Sequence, residues 1–248
     1  MEYDRSAARR AGFFYCAAAV FYIFGMMYVE GRVSVPGDPV GTLRNISGMG
    51  LLYKSGLLST LLGHVCLLFV AEALYSLFSR TDPSWARLLV IFVLVGVSIA
   101  FLNRAHQVVV LGLATSAYQG IPDTQRLGLG TLFHDLFLSG ERLAGIFWGL
   151  WLLPAGILAL KSKFAPRALG LILIVASALY LVSFLEYFFM NPVPTSLAAA
   201  LRVVHLVDTI AKVASELGFI GWLLYAGLRV QPRDPSLGIE RGHAGSTT

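Results

Sequence analysis

Six apolar stretches, each about as long as a bilayer core is thick, leave this chain few folds to choose from. A hydrocarbon layer about 30 Å thick is spanned by ~20 residues of helix. Runs of that kind recur near residues 11–29, 51–78, 88–118, 127–160, 168–189 and 197–228, the fourth ending at Leu160 and beginning between Leu127 and Leu143. The pattern predicts an all-α integral membrane bundle of six transmembrane helices, one domain over residues 1–229, with a flexible tail at 230–248. Composition agrees: 13% of the 248 residues are charged and 56% are hydrophobic. Soluble domains carry roughly 25% charged residues, and a disordered chain needs low hydrophobicity with high charge. Neither description fits.

Lysine and arginine near the span ends set an orientation, because the richer side faces the cytoplasm. One set of ends carries Arg5, Arg9, Arg10, Arg80, Arg87, Lys161, Lys163, Arg167, Arg229, Arg233 and Arg241. The other carries Arg32, Arg44, Lys54, Arg126, Arg142 and Arg202. Both termini are therefore expected in the cytoplasm. The long loops at 30–50 and 119–126 then face out. The first run follows Arg5, Arg9 and Arg10 as a signal peptide would, but no small-x-small cleavage site follows it, so it reads as a retained span. The net charge of +5 is scattered between apolar runs without a basic stripe, which argues for membrane orientation and against nucleic acid. Cys16 and Cys66 lie in separate apolar runs with no metal-ligand spacing.

The most distinctive string is GIFWGLWLLPAGILALKSKFAPRALGLILIVASALYLV, Gly145 to Val182. Phe147, Trp148, Gly149, Leu150, Trp151, Leu152, Leu153, Pro154 and Gly156 form one helix signature, and Ser162, Phe164, Pro166, Arg167, Leu169 and Gly170 form a basic turn that opens the next helix. This resembles the Domain of Unknown Function 4386 family of bacterial multi-pass membrane proteins. The resemblance implies a helical bundle in a bacterial inner membrane, and no activity. Members often place a His-Glu or similar pair before the Phe-Trp-Gly segment; here His134, Asp135 and Glu141 stand at other offsets, and no site is carried over. Physically, Pro166 suits a first helical turn, Pro154 should kink the fourth helix, and Gly145 with Gly149 should admit a neighbouring helix.

Charged groups within spans are costly and mark candidate sites. Arg104, Glu141, Glu186, Asp208, Lys212 and His64 stand 16–21 residues from the basic anchors of their helices, or ~24–32 Å at ~1.5 Å per residue. That depth is a shared polar layer in the outer part of the bilayer. His106, His134, Asp135, His205 and Glu216 complete the candidate ligand-binding set. In the sixth run Arg202, His205, Thr209, Lys212 and Glu216 recur on one helical face. Arg104 is expected to pair with Glu186 or with Asp208 across helices. A cavity lined by such pairs would bind or transport a small polar ligand or ion arriving from outside. Two other readings stand beside it: a structural or accessory subunit whose polar layer only holds the bundle together, and an intramembrane metal-dependent hydrolase using the histidines with Asp135 and Asp208. No HExxH or Ser-His-Asp spacing is present, so no catalytic residue, metal or cofactor is assigned; enzyme activity stays open with the balance against it, and the expected partner is the lipid bilayer.

Overall fold

The backbone of a membrane-spanning chain must satisfy its own amides, since hydrocarbon supplies no partner. Among the described residues of the computed structural model, 3–189 and 198–229 with the side chains of 198–205, 207 and 208 excepted, all regular structure is helical. The expected tail at 230–248 lies outside the described residues. Helix α1 (Arg5–Tyr22) starts at Asp4, whose carboxylate accepts from the Ala7 N–H at 3.0 Å. It widens into a π-helical segment, Ile23–Val29, and ends in the short α2 (Glu30–Val33). There follow α3 (Pro39–Gly48), α4 (Gly50–Phe78), α5 (Pro83–Ala114), α6 (Asp123–Leu150), α7 (Leu152–Lys161), α8 (Arg167–Phe189) and α9 (Ala198–Leu228).

Among the described residues, five helical stretches are long and apolar enough to cross a membrane: Arg5–Val33, Gly50–Phe78, Pro83–Ala114, Asp123–Lys161 and Arg167–Phe189. They face outward with side chains that water would not tolerate in such number, Leu51, Leu102 and Phe13 among them at 84%, 75% and 65% exposed. Packing runs α1 on α4, α4 on α5, α5 on α6, α6 and α7 on α8, α8 on α9, and α9 back on α1, which closes a ring. One end of the ring gathers the segments that the Lys and Arg count had grouped. The Tyr3 hydroxyl donates to the Ala226 carbonyl at 2.9 Å, Arg5 Nη1 donates to the Arg229 carbonyl at 3.2 Å, and the Tyr3 ring stacks on Phe164 with centroids 4.7 Å apart.

Two apolar clusters fill the ring. The larger occupies the half near the termini and includes Tyr15, Leu74, Phe78, Leu89, Trp151, Leu158, Leu173 and Phe219. The smaller, at the far end, joins Val33, Leu43, Ile46, Tyr53, Val110 and Leu111. Its presence corrects one expectation. The segment read as a long open loop at 30–50 instead folds α3 across the far end, where it packs on α5 and α6. Asp38 caps α3 by accepting from the Gly41 N–H at 2.8 Å, Thr42 Oγ1 accepts from the Val35 N–H at 2.9 Å, and Asn45 Nδ2 donates to the Val33 carbonyl at 3.2 Å.

Local chemistry explains the other breaks. The fourth span parts at Trp151, between α6 and α7. Pro154 has no N–H to offer the Leu150 carbonyl, and the neighbouring Ala155 N–H to Trp151 carbonyl bond is stretched to 3.3 Å. Pro166 stands just ahead of α8, its carbonyl accepting from Leu169 at 3.1 Å. Of the expected glycine pair, Gly149 does meet α8: a Cβ there would lie 2.7 Å from Tyr180 Cβ. Gly145 has nothing within 4 Å. The close crossing lies further on, where a Cβ on Gly156 would stand 2.7 Å from the Gly170 carbonyl oxygen and one on Gly170 would stand 2.9 Å from that of Gly156. Small residues are what let α7 and α8 approach to this distance.

Two predictions follow from this framework. Gly170→Val should lower the thermal midpoint in detergent, with a loss on the order of 1–3 kcal/mol expected for forced overpacking, whereas Gly145→Ala should leave it unchanged; equal shifts would show that the α7–α8 crossing is not the tight one. The second concerns Asp82, which accepts from the Ser84 and Trp85 N–H groups at 3.1 and 3.2 Å and from Lys161 Nζ at 2.7 Å. The Lys161 ammonium, followed by the Trp85 amide, holds its carboxyl below the ordinary aspartate value. The folded state thus binds this proton less tightly than the unfolded chain. The contribution is fully present above about pH 3.9 and disappears as pH falls through the lower folded value. Asp82→Asn should flatten that acid limb in a series of thermal melts; an acid limb identical to that of the unsubstituted protein would overturn the assignment.

Candidate functional site

Between the two apolar clusters lies the polar layer, and within it a partly open cavity of about 230 Å³. The π-helical segment supplies Gly25, Met26 and Val29 to its wall, and Glu30 follows them. Such a turn holds one extra residue and re-aims the side chains around it, which is why π-turns recur at functional sites. Glycine is required here: a Cβ on Gly25 would stand 2.7 Å from the Gly56 carbonyl oxygen of α4. Helix α4 adds Tyr53, Leu57 and Thr60, α5 adds Arg104 and Gln107, and α6 adds Phe137, Leu138 and Glu141. Met26 and Leu138 are the exposed side chains of this lining, so the mouth lies between them.

Arg104 dominates the site. Its side chain is 5% exposed, and that of Glu141 24%. Arg104 Nη1 donates to Gln107 Oε1 at 2.8 Å, Nη2 stands 3.3 Å from Glu141 Oε2, and the guanidinium carbon lies 4.9 Å from the centroid of the Phe137 ring. Asn103 Nδ2 donates to Glu141 Oε1 at 3.0 Å and to the Phe137 carbonyl at 3.0 Å, so both oxygens of Glu141 are positioned from α5. His106 donates through Nδ1 to Asn103 Oδ1 at 3.1 Å. Two donors of the guanidinium, Nε and Nη2, nevertheless lack a partner in hydrogen-bond geometry, as does the buried Tyr53 hydroxyl. The Glu30 carboxylate makes no hydrogen bond or ion pair among the described residues and lines the same cavity.

The expected partner of Arg104 was Glu186 or Asp208; the structure pairs it with Glu141, and the side chain of Asp208 lies outside the described residues. Counting along helices fixes depth but not direction around the axis, and α6, the neighbour of α5, presents its carboxylate at the same height as α8 does. Of the candidate set, Arg104 and Glu141 line the cavity. His64 sits below it, donating through Nδ1 to the Thr60 carbonyl at 2.7 Å among the rings of Tyr22, Phe101 and Trp148. His134 is buried beside Phe137, and Asp135 is exposed. Lys212 and Glu216 form a separate cluster between α8 and α9. There Lys212 Nζ donates to Ser183 Oγ at 3.1 Å and lies 4.1 Å from the Tyr180 ring centroid, and the Tyr180 hydroxyl donates to Glu216 Oε1 at 3.2 Å. Glu186 is half-buried on α8, and the side chains of His205 and Asp208 lie outside the described residues. Among the described residues, no three His, Cys, Asp or Glu side chains converge as a metal site would require. Missing from the candidate set were Glu30, Tyr53 and Gln107. Gln107 was legible as a third polar residue on the Asn103–Arg104 face.

These features, apolar helices around a half-buried ion pair, define a helical multi-pass membrane protein. The chain belongs to the family described as Domain of unknown function (DUF4386), whose family model matches residues 10–227. No curated protein and no solved structure matches it.

The Arg104–Glu141 pairing is testable by a double-mutant cycle in detergent. Arg104→Gln or Glu141→Gln alone should each cost about 3–5 kcal/mol, because either leaves an uncompensated charge out of water. The double substitution should cost less than their sum by at least ~1 kcal/mol. Additive losses in thermal stability would mean that the two side chains do not interact.

Proposed function

We propose that the protein is a plasma-membrane receptor or carrier component that binds a small polar ligand in the Arg104–Glu141 cavity, reached from the outer face. The observation that carries this reading is Arg104 itself: a guanidinium buried to 5% exposure in the cavity wall, whose Nε and Nη2 lack a partner in hydrogen-bond geometry. A bundle that needed the charge only for packing would saturate it, since an unfilled buried donor is costly. The α8–α9 cluster is the contrast. There Lys212, Tyr180 and Glu216 all have partners, which suits a structural role. The hydrolase reading gains no support from any arrangement of the described histidines.

In this reading six helices cross the membrane, α9 being the sixth, and both termini are cytoplasmic. The excess of Lys and Arg at the termini end supports that orientation. The helical rather than barrel form, with the family resemblance, favours a bacterial inner membrane. The larger aromatic and aliphatic cluster fills the cytoplasmic half, so the cavity is closed on that side.

Cysteine labelling in intact cells tests the access route. With Cys16 and Cys66 replaced, Leu57→Cys in the cavity wall should react with a small, fixed-charge methanethiosulfonate added outside. Ser84→Cys at the start of α5 should react only after permeabilisation. Reaction of Ser84→Cys from outside, or silence of Leu57→Cys there, would overturn the outward-facing cavity.

A further inference from the structure

The charges in the cavity do not balance, and the imbalance points to a ligand class. Arg104 is compensated by Glu141 at 3.3 Å. Glu30 lines the same wall, where its electrostatic partner is that same guanidinium, so one guanidinium faces two carboxylates. What Glu30 lacks is therefore a positive charge of its own beside it. Arg104 Nε and Nη2 and the Tyr53 hydroxyl lack hydrogen-bond partners as well, so the site also lacks an oxygen acceptor. A bare divalent cation would answer Glu30 but leave those donors empty and set its charge near the guanidinium. A simple anion would fill the donors but bring no positive charge to Glu30. One molecule with an amine at one end and an oxygen acceptor at the other meets both demands.

Volume limits its size. A 150 Å³ cavity holds benzene, so about 230 Å³ takes roughly nine non-hydrogen atoms. Val29, Leu57 and Phe137 give the middle of the ligand an apolar surface suited to methylene groups. Met26 and Leu138 make the rim apolar, at 43% and 37% exposed, so a hydrocarbon chain attached to the ligand would pass between them without burying a polar group.

We propose, resting on the cavity reading above, that the site binds an ethanolamine-type group, its ammonium on Glu30 and its oxygen on Arg104 and Tyr53. The same chemistry comes from two sources, a free amino alcohol or the headgroup of phosphatidylethanolamine.

The test uses the full chain in detergent, followed by the thermal midpoint of its intrinsic tryptophan fluorescence. Ethanolamine and glycerophosphoethanolamine should raise the midpoint at millimolar concentration, while acetate, phosphate and magnesium should not. Glu30→Gln breaks no hydrogen bond or close ion pair among the described residues and leaves Arg104 on Glu141, so the variant should fold as before and bind ethanolamine at least tenfold more weakly. Glu72→Gln, at the opposite end of the bundle, should bind unchanged. Arg104→Lys should erase the advantage of ethanolamine over ethylamine, which lacks the oxygen. Native mass spectrometry from discs of phosphatidylethanolamine or phosphatidylglycerol separates the sources. Retention of the former lipid, lost in Glu30→Gln, assigns the headgroup; undiminished binding of free ethanolamine in those discs assigns the soluble amine, and either result upholds the proposal. Stabilisation by acetate or phosphate equal to that by the amines, unchanged binding in Glu30→Gln, or no amine binding while Leu57→Cys reacts from outside would overturn it. An unreactive Leu57→Cys would instead bring down the cavity reading on which it rests.

Discussion

Hydrocarbon offers the backbone no hydrogen-bond partner, and every irregular feature of this bundle sits where something else meets that demand. The widened turn at Ile23–Val29 keeps its amides internal and turns its glycine toward α4. The break at Trp151 lies within the ring, where Trp151 is buried against Tyr15 and Phe219. Side chains relieve the same pressure elsewhere: Ser59 Oγ donates to the Phe21 carbonyl at 2.9 Å, just ahead of the π-helical segment. Departures from a straight helix are therefore concentrated around the cavity and the core beneath it.

The same solvent argument orders the charges. A guanidinium at this depth is tolerable only with a counter-charge and a polarisable surface nearby. Glu141 provides the first and the Phe137 ring the second, while Asn103 holds Glu141 in place. Gly140 leaves room for the Asn103 amide, which a larger residue would displace. The arrangement spans only α5 and α6, adjacent helices, and draws on no other part of the ring. Glu30 arrives from the first span and brings a second carboxylate to the same wall.

The spans were legible because hydropathy over twenty residues is a strong signal, and the grouping of chain ends was legible because basic residues mark one face. Pro154 and Pro166 announced their breaks through chemistry that needs no tertiary context. The helix at Pro39–Gly48 was hidden because its apolar face is only three residues wide, Thr42, Leu43 and Ile46, inside a segment dominated by turn formers. The π-helical segment has no composition that separates it from ordinary helix. Depth placed Arg104, Glu141 and Glu186 together, but which pair met depended on rotation about each axis. Tyr53 went unnoticed because a tyrosine near a helix start reads as an interfacial anchor, whereas here it belongs to both the far cluster and the cavity.

The contact between α1 and α9 bears on how the protein is made. Gly12 and Gly227 admit the backbones of the two helices to one another: a Cβ on Gly12 would stand 2.9 Å from the Leu224 nitrogen, and one on Gly227 would stand 2.6 Å from Arg9 Cα. Helix α1 thus docks against a helix that follows it by nearly two hundred residues. Until α9 has been synthesised and inserted, the small-residue face of α1 has only lipid beside it. During translation the nascent ring stands open along this seam, and the insertion of α9 closes it as a stave closes a cask.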